Sequence, residues 1–381
     1  MVSVDGLRLD CLGCYGSDWV DTPNLDRLAA ESVVFDQHIA DCPDRESGFL
    51  AWSPGGQSVL GQLADVRAEF VGDGGLPPPS SFTSSFQKTR LVKNGRSSSA
   101  RLEFVFDGAR KAARSLVRHD QGILWIDLPG VLPPWEVPEE FVELYFPRNS
   151  EPAGEGEEEV NGVLPPWTGP LPATVSTDDE ATLLCLRRTY AAAVSHFDAQ
   201  LGLLLDSLEG KESAQDWLLM LTASCGLPLG DHGVAGGYRP WLHEELVHLP
   251  LLVRLPSAAE AGRRVFSLTQ SSDLPATLLD AIGLPVSSTH GRSLLPLCRG
   301  EVDQIRAEAY SRLQTTYAEE WALRTSEWAF LLPVNVPSED PPRGPQLYVK
   351  PEDRFEVNNV VQHHSELAEE MERKLRERVT G

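Results

Sequence analysis

Apolar residues recur with a helical period most clearly between Ala181 and Glu209. There Leu183, Leu186, Tyr190, Val194, Phe197, Leu201, Leu204 and Leu208 fall on one stripe spaced about 3.6 residues apart. Three short runs lack that period and read as buried strands: Ile123–Asp127 (ILWID), Trp217–Thr222 (WLLMLT, then a turn over Ala223–Gly226) and Leu249–Pro256 (LPLLVRLP). Arg101–Phe106 (RLEFVF) also reads as a β-type run. Thr22-Pro23 predicts a helix start, with Thr22 as cap, Pro23 in the first helical position and Leu25, Leu28 and Ala29 as the apolar stripe. A second helix is predicted over Asp273–Ile282, with Pro275 in its first turn and Gly283 as terminator. Trp328–Leu332 reads as a strand, and Ser365–Val379 as a closing helix with Leu367, Met371 and Leu375 on one face.

Between these elements lie stretches without periodicity. Residues 53–100 are rich in Gly, Pro and Ser and read as loop; residues 149–180 are acidic with interleaved Gly and Pro and read as a long surface excursion. Strands alternating with helices predict a mostly parallel α/β sheet, and no internal repeat is visible. The first strand is short, because only Met1 to Val4 precede Asp5. That leaves open a start assigned too far downstream, and with it a lost targeting segment.

Composition narrows the function classes. The 381 residues carry 33 Lys+Arg against 56 Asp+Glu, a formal net charge of −23, which argues against nucleic acid or an anionic membrane as the main partner. With 41% hydrophobic residues the chain can bury a core. The six cysteines (Cys11, Cys14, Cys42, Cys185, Cys225 and Cys298) are too scattered for a disulfide framework. Cys11 and Cys14 form one C-x-x-C without the second pair that a zinc site needs. No apolar run approaches a membrane span, and no signal peptide is visible, so the default expectation is cytoplasmic.

The motifs resemble a known family. VDGLRLDCLGCYG followed by TPNLDRLAAESVVF is similar to the amino-terminal signature of the sulfatases, in the alkaline-phosphatase-like superfamily. YAAAVSHFDAQLGLLLDSLE, LTASCGLPLGDHG, HEELVHLPLLVRLP and DLPATLLDAIGLP with HGRSLLPLCRGE follow in the family's order. WALRTSEWAFLL and LYVKPEDRFEVNN match its carboxy-terminal part. The resemblance implies a three-layer α/β sandwich over residues 1–303, with 53–100 and 149–180 as loop-rich excursions, and a small α+β subdomain over 304–381. It also implies a formylglycine made from Cys or Ser in C-x-P-x-R, Ca²⁺ held by several oxygen ligands, and Lys, His and Arg that bind the sulfate.

Most of those positions are altered. By this resemblance Asp5 keeps the first metal position, next to Gly6, although a turn residue at a strand end is an equal reading. The second metal pair falls on Ser224 and Cys225. Cys42 lies near the nucleophile position, but Asp44 and Glu46 stand where Pro and Arg are needed, and Arg45 comes one residue early. The G-K-x-H segment reads Val71-Gly72-Asp73-Gly74, and the His of D-P-H-x-P-W falls on Leu132. Arg239, before His243-Glu244, keeps a basic position, and an ion pair of Arg239 with Glu244 or Glu245 is its structural alternative. His232 is a candidate general base. The expectation is a sulfatase-fold pseudoenzyme with a binding or assembly role and no cofactor. The alternative is an active sulfuric-ester hydrolase using Ca²⁺ and a divergent site of Asp5, Cys42, Arg45 and Arg239, with a sulfate ester as substrate. Neither substrate nor partner is named by the sequence.

Overall fold

The buried apolar runs become adjacent strands of one sheet. In the computed structural model, which describes residues 1–52, 66–93, 97–119, 121–146, 164–208, 217–236, 241–286, 291–316, 318–335 and 344–380, the strands in the first half are β1 (Val2–Asp5), β2 (Val33–Ile39), β3 (Arg67–Asp73), β4 (Lys88–Val92) and β5 (Gly122–Leu128). A two-residue strand β6 (Ala173–Thr174) is followed by β7 (Leu219–Cys225), β8 (Val234–Ala235), β9 (His248–Arg254), β10 (Arg264–Val265) and β11 (Thr269–Gln270). The central sheet runs β10-β2-β9-β7-β1-β5-β3-β4, with β11 also on β2. Its pairings are parallel except at β9, which runs against both β2 and β7.

Helices cover both faces, which is why β5, β7 and β9 are apolar almost without interruption. One face carries the helices Pro23–Ala30, Ser98–Leu116 and Glu180–Leu208, packed through Leu25, Phe106 and Tyr190. The other carries Arg45–Ala51, Asp273–Ala281 and the turn Leu295–Cys298, packed through Phe49, Leu279 and Leu295. A separate antiparallel sheet follows, made of β12 (Ala309–Gln314), β13 (Glu319–Arg324), β14 (Trp328–Asn335) and β15 (Gln346–Val349). The helix Ser365–Thr380 closes it through Ala368, Met371 and Leu375. The architecture is α/β with a mostly parallel central sheet and a small C-terminal sheet.

Three local expectations are corrected. Residues 53–100 are not all loop: β3 lies between β5 and β4 with Phe70 and Val71 fully buried. The Gly and Pro residues that follow it, from Gly74 to Pro79, mark a bend at its carboxyl end and say nothing about the seven residues before them; residues 53–65 and 94–96 of that stretch lie outside the described residues. Arg101–Phe106 is helical, inside Ser98–Leu116. Ser97 Oγ accepts from Ala100 N (3.1 Å), and Leu102, Val105, Phe106, Ala109 and Ala113 are buried at helical spacing. Six residues were too short a window to separate alternation from that longer period. Thr22 precedes its helix but does not cap it, because its hydroxyl accepts from Gly13 N instead (3.0 Å). In addition, β7 runs on through Cys225, so Ser224 and Cys225 belong to a strand end rather than a turn.

The first turn of the Pro23–Ala30 helix has free N–H groups that need acceptors. Asp198, from the long helix Glu180–Leu208, supplies them: it accepts from Leu25 N (2.7 Å), Asn24 N (3.0 Å) and Asn24 Nδ2 (2.8 Å). Asp198→Ala leaves these donors buried and unpaired, so urea unfolding should show a loss of about 3 kcal/mol, a cap's worth plus charged hydrogen bonds.

Candidate functional site

In a parallel α/β sheet, ligand sites form at the carboxyl ends of the strands. Here β1, β5 and β7 end side by side. Ser3 is in register with Asp127, and Asp5 with Cys225. The approach is close: a side chain at Gly130, just past β5 and at φ +71°, would lie 1.8 Å from Asp5 O. Glycine is therefore required there. The carboxylates of Asp5 and Asp127 consequently emerge together, each only 1% exposed.

Both acids are bound by one base. Arg45, the first residue of the helix Arg45–Ala51, donates through Nη1 to Asp5 Oδ2 and through Nη2 to Asp127 Oδ2. Nη2 also donates to Leu76 O (2.7 Å), and the guanidinium lies 5.2 Å from the centre of the Phe49 ring. The remaining carboxylate oxygens accept from hydroxyls: Ser224 Oγ donates to Asp5 Oδ1, and Ser3 Oγ to Asp127 Oδ1 (3.0 Å). Trp125 Nε1 in turn donates to Ser3 Oγ (3.1 Å). Burial raises the Asp127 carboxyl to about 7, and neighbouring Asp5 pushes the same way, against the pull of Arg45. Burial by itself would lower the Arg45 guanidinium; Asp5 and Asp127 outweigh it and raise it above its ordinary value.

Of the residues singled out from the sequence, Asp5, Arg45, Ser224 and Cys225 come together at these strand ends. Cys42 approaches by its backbone. A methyl group on Gly48, one turn into the helix, would lie 3.8 Å from Cys42 O and 3.9 Å from Ser224 Cβ. Burial, and then Asp41 and Asp44, push the Cys42 thiol up to about 12. Burial does the same to Cys225, followed by Asp5. Arg239 lies outside the described residues. Its two proposed partners are engaged elsewhere: Glu244 with His248 and Lys350, Glu245 with His232. Leu132 lies against Gly6, where a Cβ would be 2.5 Å from Leu132 Cδ2, so an apolar side chain covers the flank of Asp5. Asp73 is buried at the end of β3, facing Arg101 at 3.6 Å. A cleft of about 680 Å³ opens over Arg45, bounded by Asp44, Glu46, the Leu76–Pro79 ridge and the β12–β13 turn. Asp127 was not singled out in advance; its signal was the single carboxylate closing the apolar run ILWID.

Residues 134–284 match the family model described as Sulfatase, and residues 230–380 match N-sulphoglucosamine sulphohydrolase, C-terminal. The human iduronate 2-sulfatase is 23% identical over 366 residues, covering 74% of this chain. The chain belongs to the sulfatase family. Among other sulfatases, the N-acetylglucosamine-6-O-sulfatase of Bacteroides thetaiotaomicron is 32% identical over 115 residues, 30% of this chain. The matches span 64% of the length of the human relative and 20% of the bacterial one. Solved structures share the fold. The phosphonate monoester hydrolase of Agrobacterium radiobacter superposes with a TM-score of 0.73 at 19% identity, covering 98% of this chain and 94% of its own. BT4656, in complex with its substrate D-glucosamine-2-N,6-O-disulfate, gives 0.75 at 18% identity, covering 99% and 96%. Among the described residues of this sulfatase-family chain, no helix is long and apolar enough to cross a membrane.

His232 is held at the seam with the C-terminal sheet. Its Nδ1 faces Glu245 Oε1 (2.8 Å), its Nε2 faces Glu356 O (3.2 Å), and its ring stacks on His243 at 4.0 Å. Both partners are acceptors, so both nitrogens donate and the ring is an imidazolium. Burial opposes that charge, but Glu245 and Glu356 prevail and raise the group to about 9. A raised folded value means that the stabilisation is complete below the unfolded value of ~6.5 and lost as pH rises through about 9. The urea midpoint of the native chain should therefore fall across that window, and His232→Gln should flatten the decline.

Proposed function

We propose that this sulfatase-family chain is a pseudoenzyme, whose role is binding or assembly rather than sulfate-ester hydrolysis. The observation that carries this reading is the loop before Arg45. Read from Arg45 backwards, Asp41-Cys42-Pro43-Asp44-Arg45 keeps the Pro and Arg of the family's C-x-P-x-R and sets Asp41 in the place of the oxidisable Cys or Ser. The conversion to formylglycine oxidises a thiol or a hydroxyl, and a carboxylate is already more oxidised than an aldehyde. Asp41 also serves elsewhere: its carboxylate accepts from Ser272 N (2.8 Å), Ser272 Oγ (3.2 Å) and Gln270 Nε2 (2.9 Å). Cys42, the next residue, keeps its proton at neutral pH because burial and two acids disfavour the thiolate, the form that attacks.

The residues present also do not fit Ca²⁺. That ion takes six to eight oxygen ligands. Here all four oxygens of Asp5 and Asp127 are already engaged, β7 contributes a hydroxyl that donates and a thiol, and a guanidinium lies between the acids. Among the described residues no group of three or more His, Cys, Asp or Glu side chains is placed to hold a metal. The cleft above Arg45 is rimmed by Asp44 and Glu46, which disfavours an anionic ester and leaves room for a ligand of another kind.

Co-expression with a formylglycine-generating enzyme, followed by mass spectrometry of the peptide spanning Asp41 and Cys42, should return the unmodified thiol. Turnover of an aryl sulfate should not exceed that of Cys42→Ala. Turnover abolished by that substitution or by a chelator would restore the active hydrolase with a divergent site.

A further inference from the structure

We infer that Arg45 is the site's own cation: a covalently tethered positive charge that bridges Asp5 and Asp127 and excludes a divalent ion from between them. The inference rests on the reading above only in that no resident metal competes with Arg45.

Three features separate this role from an ordinary salt bridge. First, an arginine opposite a carboxylate usually places two parallel N–H groups on its two oxygens. Arg45 instead gives one nitrogen to each of two acids from different strands, so it joins them as a shared cation would. Second, the coordination of the acids is closed around it. Ser224 and Ser3 take the two outer oxygens, so each carboxylate is fully satisfied only while the guanidinium is present. Third, the guanidinium is fixed from behind. Leu76 O accepts from it (2.7 Å), the Phe49 ring lies along it at 5.2 Å, and its helix is tied at the start by Asp44 Oδ1, which accepts from Ser47 N (2.9 Å). A mobile counter-ion would need none of these supports.

The consequence is a masked site. Two carboxylates, each 1% exposed, at neighbouring strand ends repel one another and have lost most of their hydration. Without Arg45 they need another cation, and their hard oxygens favour a hard divalent one. A structural salt bridge predicts only destabilisation when Arg45 is removed. A tethered cation predicts destabilisation that an added cation repairs.

The full-length chain, its Arg45→Ala variant and the Arg45→Ala/Asp127→Asn double variant are compared by thermal unfolding and by calorimetric titration with CaCl₂. The native chain should show no calcium heat and no shift in its midpoint. Arg45→Ala should unfold earlier, and millimolar CaCl₂ or methylguanidinium should recover most of the loss. Its dissociation constant for calcium should be on the order of 10⁻⁴ to 10⁻³ M, the weak end for oxygen-ligand sites. In the double variant calcium rescue should disappear. If Arg45→Ala does not yield folded protein, Arg45→Gln, neutral and of similar reach, takes its place in the same measurements. Destabilisation that neither cation repairs overturns the proposal, as does calcium binding by the native chain that depends on Asp127. Aryl sulfate turnover by the native chain would sink the pseudoenzyme reading and leave this one standing, so the two failures are distinguishable.

Discussion

Two buried carboxylates at the ends of adjacent parallel strands must be neutralised, and the centre of this molecule is arranged around that requirement. The sheet order puts β1 between β7 and β5, so Asp5 and Asp127 meet whether or not chemistry follows. The electrostatic problem comes with the fold. A cation answers it, and in this chain the cation is a side chain delivered by the helix Arg45–Ala51. Ser3, Ser224 and Trp125 then complete a hydrogen-bonded chain that satisfies each carboxylate oxygen, as a buried polar network must.

The same solution recurs at several other acids held at or near the interior of this acidic chain. Glu356, at φ +56°, is held by Arg324 (2.9 Å), Lys350 (3.1 Å) and His243 Nδ1 (3.0 Å), and it pins the loop after β15 onto the body. Asp273 at the start of its helix pairs with Arg306, which lies just before β12. Asp231 meets Arg8 at 2.6 Å, close behind the β1 end. Part of the chain's limited basic content is thereby drawn inward to join segments far apart in sequence.

Much of the fold was legible because apolar pattern and packing agree. The helix Glu180–Leu208 and the strands β5, β7 and β9 follow directly from stripes and uninterrupted runs. What failed to show was β3, whose seven residues lie between Gly- and Pro-rich flanks, and the helix Ser98–Leu116, whose start imitates alternation. Legibility at the site was of a different kind. Asp5, Arg45, Ser224 and Cys225 could be placed at one locus by motif order, yet their partners could not, because pairing across strands is set by register and not by sequence distance. Asp127 is 122 residues from Asp5 along the chain, and only the order of β1 and β5 in the sheet brings them together.

This distinction explains how the architecture can persist while its chemical groups change. The sheet, its two helical layers and the C-terminal subdomain are held by apolar burial spread over dozens of residues, so no single catalytic position is needed for folding. The strand-end acids are the exception, because they cannot be left uncompensated. At the same strand ends Gly6, Leu132 and Cys225 carry no charge that needs a partner, and the buried Asp73 at the end of β3 faces Arg101 at 3.6 Å. A change at Arg45 would be of another order, since it removes the only positive charge among the described residues that forms an ion pair with both Asp5 and Asp127. Selection for folding alone is therefore enough to hold Arg45, Asp5 and Asp127 together, whatever the cleft above them binds.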